Sequence, residues 1–181
     1  GRFTFPPGVD HIRMPGVVKT TEAEYVSESL NMDIEQTTAL RTSVIMAAAE
    51  NFNPDLVIVD KEPTGFRGEL TTTLEILKRM GRAKIVLGIR DILDSPEALS
   101  VEWERKGALE VAERYYDQFW VYGDQSVYNP LQSLDISDDF KRRVHYTGYL
   151  RRAAPMELPA TQLDHPFVLV TPGGGGDGEA L

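Results

Sequence analysis

Five glycines fall within six residues near the end of the chain, in FVLVTPGGGGDGEAL, directly after an apolar run. A glycine loop between a strand and a helix lets backbone approach a ligand closely. The helix start that comes next offers free N–H groups and a positive dipole end to an anion, usually a phosphate. Gly173 to Gly178 has the spacing of a nucleoside-triphosphatase P-loop. However, Glu179 stands where a lysine must reach the phosphates, and Ala180 where a hydroxyl must hold magnesium, so that class is excluded. Gly173, Gly175 and Gly178 also satisfy the dinucleotide fingerprint G-x-G-x-x-G. In so glycine-rich a run that match is nearly automatic, and it stays open.

A second set of reactive groups sits after apolar runs further upstream. In open parallel sheets, ligands collect outside the carboxyl ends of the strands. That rule singles out Asp60, Lys61, Glu62 and Arg67 after DLVIVD, Arg90 and Asp91 after KIVLGI, Asp124 after FWVYG, and Thr147 to Arg152 after VHY. An aspartate closing a strand also describes a phosphorylated receiver. That chemistry needs an early acidic pair, a Thr or Ser at the end of the next strand and a Lys at the end of the one after, and these are missing. Each of these residues also has an ordinary structural reading: Asp60 capping its loop, Asp91 pairing with Arg90, Asp124 closing a turn.

The elements that must position these groups follow from period. Short apolar runs at 11–17, 55–60, 84–91, 119–124, 144–149 and 167–172 alternate with segments of helical spacing, which predicts a mainly parallel sheet with flanking helices. Three helices are predicted. The first runs from Ile34 to Phe52, capped by Asp33, with Ile34, Leu40, Val44, Ala47, Ala48 and Phe52 on one face. The second runs from Glu69 to Met80 and ends at Gly81. The third runs from Ser95-Pro96 to Tyr116, with a Glu102–Lys106 pair and with Gly107 inside it, closely packed against another backbone. Residues 151–166 carry three prolines and no period, and read as a linker after a 1–150 domain; a second domain starts at Phe167.

Composition narrows the chemistry. The 181 residues are 41% hydrophobic, enough for one domain with a sizeable core. With no cysteine, disulfides, thiolate catalysis and Cys-ligated zinc are excluded, and three scattered histidines argue against a metal centre. A net charge of −9 argues against a nucleic-acid partner, although five Lys or Arg and no acid lie between 141 and 152. No stretch approaches a transmembrane span and no signal peptide is evident, so the simplest reading is a cytoplasmic protein.

The phrases DLVIVDKEPTGFRGEL, GIRDILDSPEALSVEWERKGALE, FWVYGD, VHYTGYLRR and TPGGGGDGEAL resemble a group of bacterial predicted glycosyltransferases. These are related to the N-acetylglucosaminyltransferase that makes the lipid precursor of peptidoglycan. The resemblance covers the chain from about Phe5. It implies one half of a GT-B two-domain architecture: a Rossmann-like amino-terminal domain on the acceptor side (1–150), a linker (151–166), and the first strand and glycine loop of the nucleotide-sugar domain (167–181). The family's first strand and first glycine-bearing loop would then precede Gly1, and most of the donor domain would follow Leu181. The expectation is a fragment, inactive alone, with an exposed sheet edge through which a homodimer could form.

The implied reaction moves a sugar from a nucleotide diphosphate, uridine-linked by resemblance, to an acceptor hydroxyl. Gly173, Gly174, Gly175, Gly176 and Gly178 would bind the diphosphate, with Arg151 or Arg152 contributing. Glu62 or Asp91 would act as the base. Asp60, Lys61, Arg67, Arg90, Asp124, Thr147 and Gly148 complete the cleft. No metal or cofactor is expected, since loop and helix dipole can replace magnesium. A nucleotide-sugar epimerase of the same plan and a non-catalytic nucleotide-sugar or dinucleotide binder remain as alternatives.

Overall fold

Four apolar runs become a parallel sheet, and their register explains why each is apolar. In the computed structural model, which describes residues 6–20, 24–92 and 95–150, the sheet comprises β3 (Leu56–Asp60), β4 (Lys84–Arg90), β5 (Gln118–Tyr122) and β6 (Val144–Tyr146), in that spatial order. Val57, Ile85 and Val59, Leu87 pair across β3 and β4; Leu87, Phe119 and Ile89, Val121 pair across β4 and β5. These residues share one face, and that face carries the core. Leu74 and Leu77 of α2 (Thr71–Met80), Leu99 and Trp103 of α3 (Pro96–Lys106), Ala108, Ala112 and Tyr115 of α4 (Ala108–Tyr115), and Phe140 of α5 (Asp138–Arg142) pack onto it. Phe140 stacks on Phe119 with ring centroids 3.7 Å apart. The fold is α/β and Rossmann-like, as expected.

The opposite face is different. Leu56, Ile58, Trp120 and Tyr122 alternate away from the core cluster, and Leu56 and Ile58 stay nearly half exposed. Among the described residues β3 is also an open edge. The Asp55 carbonyl accepts from Lys84 N–H, and Lys61 N–H donates to the Gly88 carbonyl, both toward β4. By the two-residue alternation, Leu56 and Ile58 turn their backbone groups outward. Beside them an apolar groove of about 370 Å³ lies between β3, α2 and α1 (Ile34–Phe52), where Phe52 is 83% exposed. The expected exposed edge is present.

Most helix boundaries agree with the sequence reading. Asp33 caps α1 in a reciprocal box with Gln36, Gly81 ends α2 in the left-handed region, and Ser95 caps α3 ahead of Pro96. Three expectations are corrected. The run at 11–17 is not a strand of the sheet: only Val17 belongs to one, β1 (Val17–Lys19), which pairs antiparallel with β2 (Tyr25–Ser27) as a separate ribbon. The single third helix is two, because Gly107 adopts φ +59° and ends α3; a Cβ there would meet nothing within 4 Å, so close packing is not its role. On α1, Leu40 and Ala47 are exposed, because the packed face runs through buried Thr37 and through Arg41 instead, and Phe52, the last residue of the helix, is exposed as well.

Candidate functional site

At the carboxyl end of the sheet, the register brings the strand-end groups into two neighbouring sets. Asp60 pairs with Gly88 in register, and its carboxylate takes a hydrogen bond from Arg90 at 2.9 Å. Both side chains are more than half exposed, so the pair contributes little stability. Tyr122 lies over Gly88, where any Cβ would run into its hydroxyl. Desolvation first, and then the charge of Asp60, push that hydroxyl above its ordinary pKa. In the second set, Asp91 packs against Gly123, where a Cβ would come within 2.7 Å of the Asp91 Cβ. Asp91 accepts from its neighbour Ile92 N–H and from the Tyr149 hydroxyl. Desolvation, the Asp91 hydrogen bond and the charges of Asp91 and Asp124 push Tyr149 up.

Three of the expected cleft residues serve the backbone. The Asp124 carboxylate accepts from both the hydroxyl and the N–H of Ser126, which hold it below the usual carboxylate range and close a turn. Thr147 donates from its N–H and its hydroxyl to the Val121 carbonyl, and Gly148 N–H donates to Gly123. These bonds carry the β5–β6 pairing past the end of β6.

The loop after β3 is built differently. Between Asp60 and α2, four residues have positive φ: Lys61 (65°), Gly65 (67°), Arg67 (49°) and Gly68 (84°). Two of them carry side chains, an arrangement that costs about 1–2 kcal/mol each and persists only when the surroundings over-determine it. Those surroundings are visible. The buried Tyr116 hydroxyl donates to the Pro63 carbonyl at 2.6 Å. Buried Glu69 takes Arg41 Nη2 at 2.8 Å and Phe66 N–H at 3.3 Å, and Arg41 reaches on to the Pro15 carbonyl. The Glu69 hydrogen bond raises the already high pKa of Arg41, more than burial lowers it.

This loop walls a cavity of about 640 Å³ with α3 opposite. Lys106 on α3 donates to Glu62 at 2.9 Å and to Glu102 at 2.7 Å, and Lys61 stands 4.0 Å from Glu62. Desolvation acts to lower Lys106, but its two carboxylate partners outweigh it and leave the ammonium above its ordinary pKa. Tyr25 of β2 forms the outer wall, its ring edge-on to Phe66 at 5.0 Å between centroids. Arg67 turns to Glu35 of α1 at 3.1 Å.

Of the sequence candidates, Lys61, Glu62 and Arg67 therefore line one cavity, Asp60 and Arg90 form a surface pair, and Asp91 lies with Tyr149. The two candidate bases, Glu62 and Asp91, have different partners. Arg151, Arg152 and the glycines from 173 to 178 lie outside the described residues. The sequence reading misses Tyr25 and Phe66, includes Tyr149 only within the range 147–152, and takes Lys106 and Glu102 only as a helix pair. The phrase TGFRG, with its two glycines, is the available signal for Phe66. Among the described residues no cluster of His, Asp and Glu suited to a metal ion occurs, and no helix is long and apolar enough to cross a membrane.

The chain matches no family model, no curated protein and no solved structure. The functional reading rests on the arrangement of these residues and on the sequence phrases.

Proposed function

We propose that this chain contributes the acceptor half of a metal-independent glycosyltransferase that moves a sugar from a uridine diphosphate donor to an acceptor hydroxyl. The observation that carries the reading is the strained, doubly anchored loop 61–68 at the carboxyl end of a parallel sheet, with a carboxylate facing a ligand-sized cavity. Backbone held in sparsely populated conformations by buried anchors is characteristic of functional sites, and this is where an open α/β sheet binds ligands. Glu62 is the better placed of the two candidate bases, since it lines the cavity, whereas Asp91 is occupied by Ile92 N–H and Tyr149. The glycine loop, with Arg151 or Arg152, holds the departing diphosphate in this proposal, as half of a GT-B pair.

The test is made on the two-domain protein that the resemblance implies. Calorimetric titration of UDP into it and into a Gly175→Val, Gly176→Val variant should show a clear loss of affinity in the variant; equal affinities would remove the loop from the donor site. Turnover of a UDP-sugar should fall about 10²–10⁴-fold in Glu62→Gln with UDP affinity unchanged. A homodimer through the β3 edge belongs to the same proposal, because a second copy pairing there would cover Leu56 and Ile58. Sedimentation equilibrium of the wild type against Ile58→Lys tests it, and a monomeric wild type removes it.

A further inference from the structure

The cavity between the loop 61–68 and α3 has a charge balance that points to the chemistry of its ligand. Each cation at its wall is matched. Lys106 is held by Glu62 and Glu102, Arg67 by Glu35, and Lys61 stands beside Glu62. A site for phosphate or another anion would present unmatched donors; here an anion would compete with three carboxylates. Hydrogen-bonding capacity is nevertheless plentiful. A carboxylate has about four acceptor sites, and the Lys106 hydrogen bonds occupy one oxygen each on Glu62 and Glu102. Lys61 also lines the cavity, within ion-pair range of Glu62 at 4.0 Å but beyond hydrogen-bond distance of it. Acceptors and donors that alternate along the wall, with a carboxylate beside each cation, suit neighbouring hydroxyls, each of which donates once and accepts.

The outer wall supplies the complementary apolar part. Tyr25 is 42% exposed, and the edge-on contact with Phe66 fixes the orientation of its ring. A fixed ring of this kind offers a flat platform to the C–H face of a pyranose. The volume of about 640 Å³ lies within the range of small-molecule sites.

We infer that this cavity binds a neutral sugar, a pyranose lying on Tyr25 with neighbouring hydroxyls bridging Glu62, Glu102 and Lys61. This deepens the proposed function and rests on it for the chemical step after binding, since the bound sugar would be the acceptor and Glu62 would take the proton from its attacking hydroxyl. Binding itself needs no donor, so the two readings can fail separately.

Saturation-transfer NMR on the full chain, with methyl glycosides of glucose, N-acetylglucosamine and mannose as probes, tests the inference. At least one glycoside should receive saturation, and Tyr25→Phe should keep the signal because the platform requires the ring and not the hydroxyl. Tyr25→Ala should abolish it, and Glu102→Gln should weaken binding about tenfold. Unchanged far-UV circular dichroism in Tyr25→Phe and Glu102→Gln identifies these as site effects. Absence of transfer to all three probes would overturn the inference, as would transfer that survives Tyr25→Ala, and so would displacement of the glycoside by inorganic phosphate or UMP. Glycoside binding in a protein that ignores UDP would keep this site and remove the transfer reading.

Discussion

The Tyr116 hydroxyl, buried at the end of α4, donates a 2.6 Å hydrogen bond to the Pro63 carbonyl, 53 residues away in the loop after β3. This bond ties the strained loop to the core beneath it. Tyr116→Phe keeps the ring and leaves a buried carbonyl without its donor, which costs about 1–3 kcal/mol. Urea unfolding should show that loss with an unchanged slope. Burial also pushes the Tyr116 hydroxyl above the ordinary tyrosine value of 10.0. Ionisation above that pH then favours the unfolded chain, so this part of the stability is intact below pH 10 and is lost as pH rises further. The difference between wild type and Tyr116→Phe should shrink above pH 10; a constant difference would detach the residue from the alkaline limb.

Lys61 separates stability from binding. Its φ of 65° favours glycine, while its N–H donation to the Gly88 carbonyl needs no side chain. Relief of about 1–2 kcal/mol in Lys61→Gly is offset by roughly 0.5–1 kcal/mol of added chain entropy. The melting temperature should hold or rise slightly, while glycoside binding weakens because the ammonium is gone. A clear drop in melting temperature would show that the side chain, and not the backbone, holds the loop.

Asp117 is a stability switch at low pH. It accepts from Lys78 at 2.8 Å and from Ile85 N–H at 2.8 Å, joining α2 to the start of β4. Burial alone would push this carboxyl up, but the Lys78 and Ile85 hydrogen bonds and the charges of Lys78 and Lys84 outweigh it and leave it below 3.8. A lowered folded value means the contribution is present above the unfolded value and is lost as pH falls through the folded one. With a quarter of the side chain exposed, the contribution at neutral pH is about 1 kcal/mol. Asp117→Asn should lose that amount at pH 7 and converge with the wild type as pH falls below 3.8 and through the lowered folded value. Parallel curves down to pH 2 would assign the loss to packing.

The parts of this fold that can be read from sequence are those that a local pattern determines. Consecutive apolar residues mark β3, β4 and β5, although only β4 is covered along its length, and Asp33, Gly81 and Ser95-Pro96 mark helix ends through their own backbone chemistry. The site is legible only in part. Strand ends locate Asp60, Glu62, Arg90 and Asp91, but Tyr25 reaches Phe66 through a ribbon whose placement depends on tertiary packing. Lys106 joins Glu62 across 44 residues, and no local period records that contact. The mismatch on α1 is also informative: Arg41 is drawn inward by Glu69, and Leu40, about 100° round the helix from it, is turned outward.

Gly107 gives the sharpest contrast between the two readings. Inside a continuous helix, Gly107→Ala would gain about 1 kcal/mol, because alanine is the better helix former. The structure instead places Gly107 at φ +59°, ending α3 with its N–H donating toward Glu104 and Trp103 and opening α4 in the same residue. Alanine in that conformation brings its Cβ against the following carbonyl at a cost of about 1–2 kcal/mol. The space around the position is empty, so no other contact enters the comparison. Thermal or urea unfolding of Gly107→Ala should therefore show a loss of about 1 kcal/mol, and Gly107→Asn a smaller one, since asparagine tolerates the left-handed region. A gain in Gly107→Ala would restore the single helix from Ser95 to Tyr116. It would also remove the bend between α3, which carries Lys106 and Glu102, and α4, which leads into Tyr116.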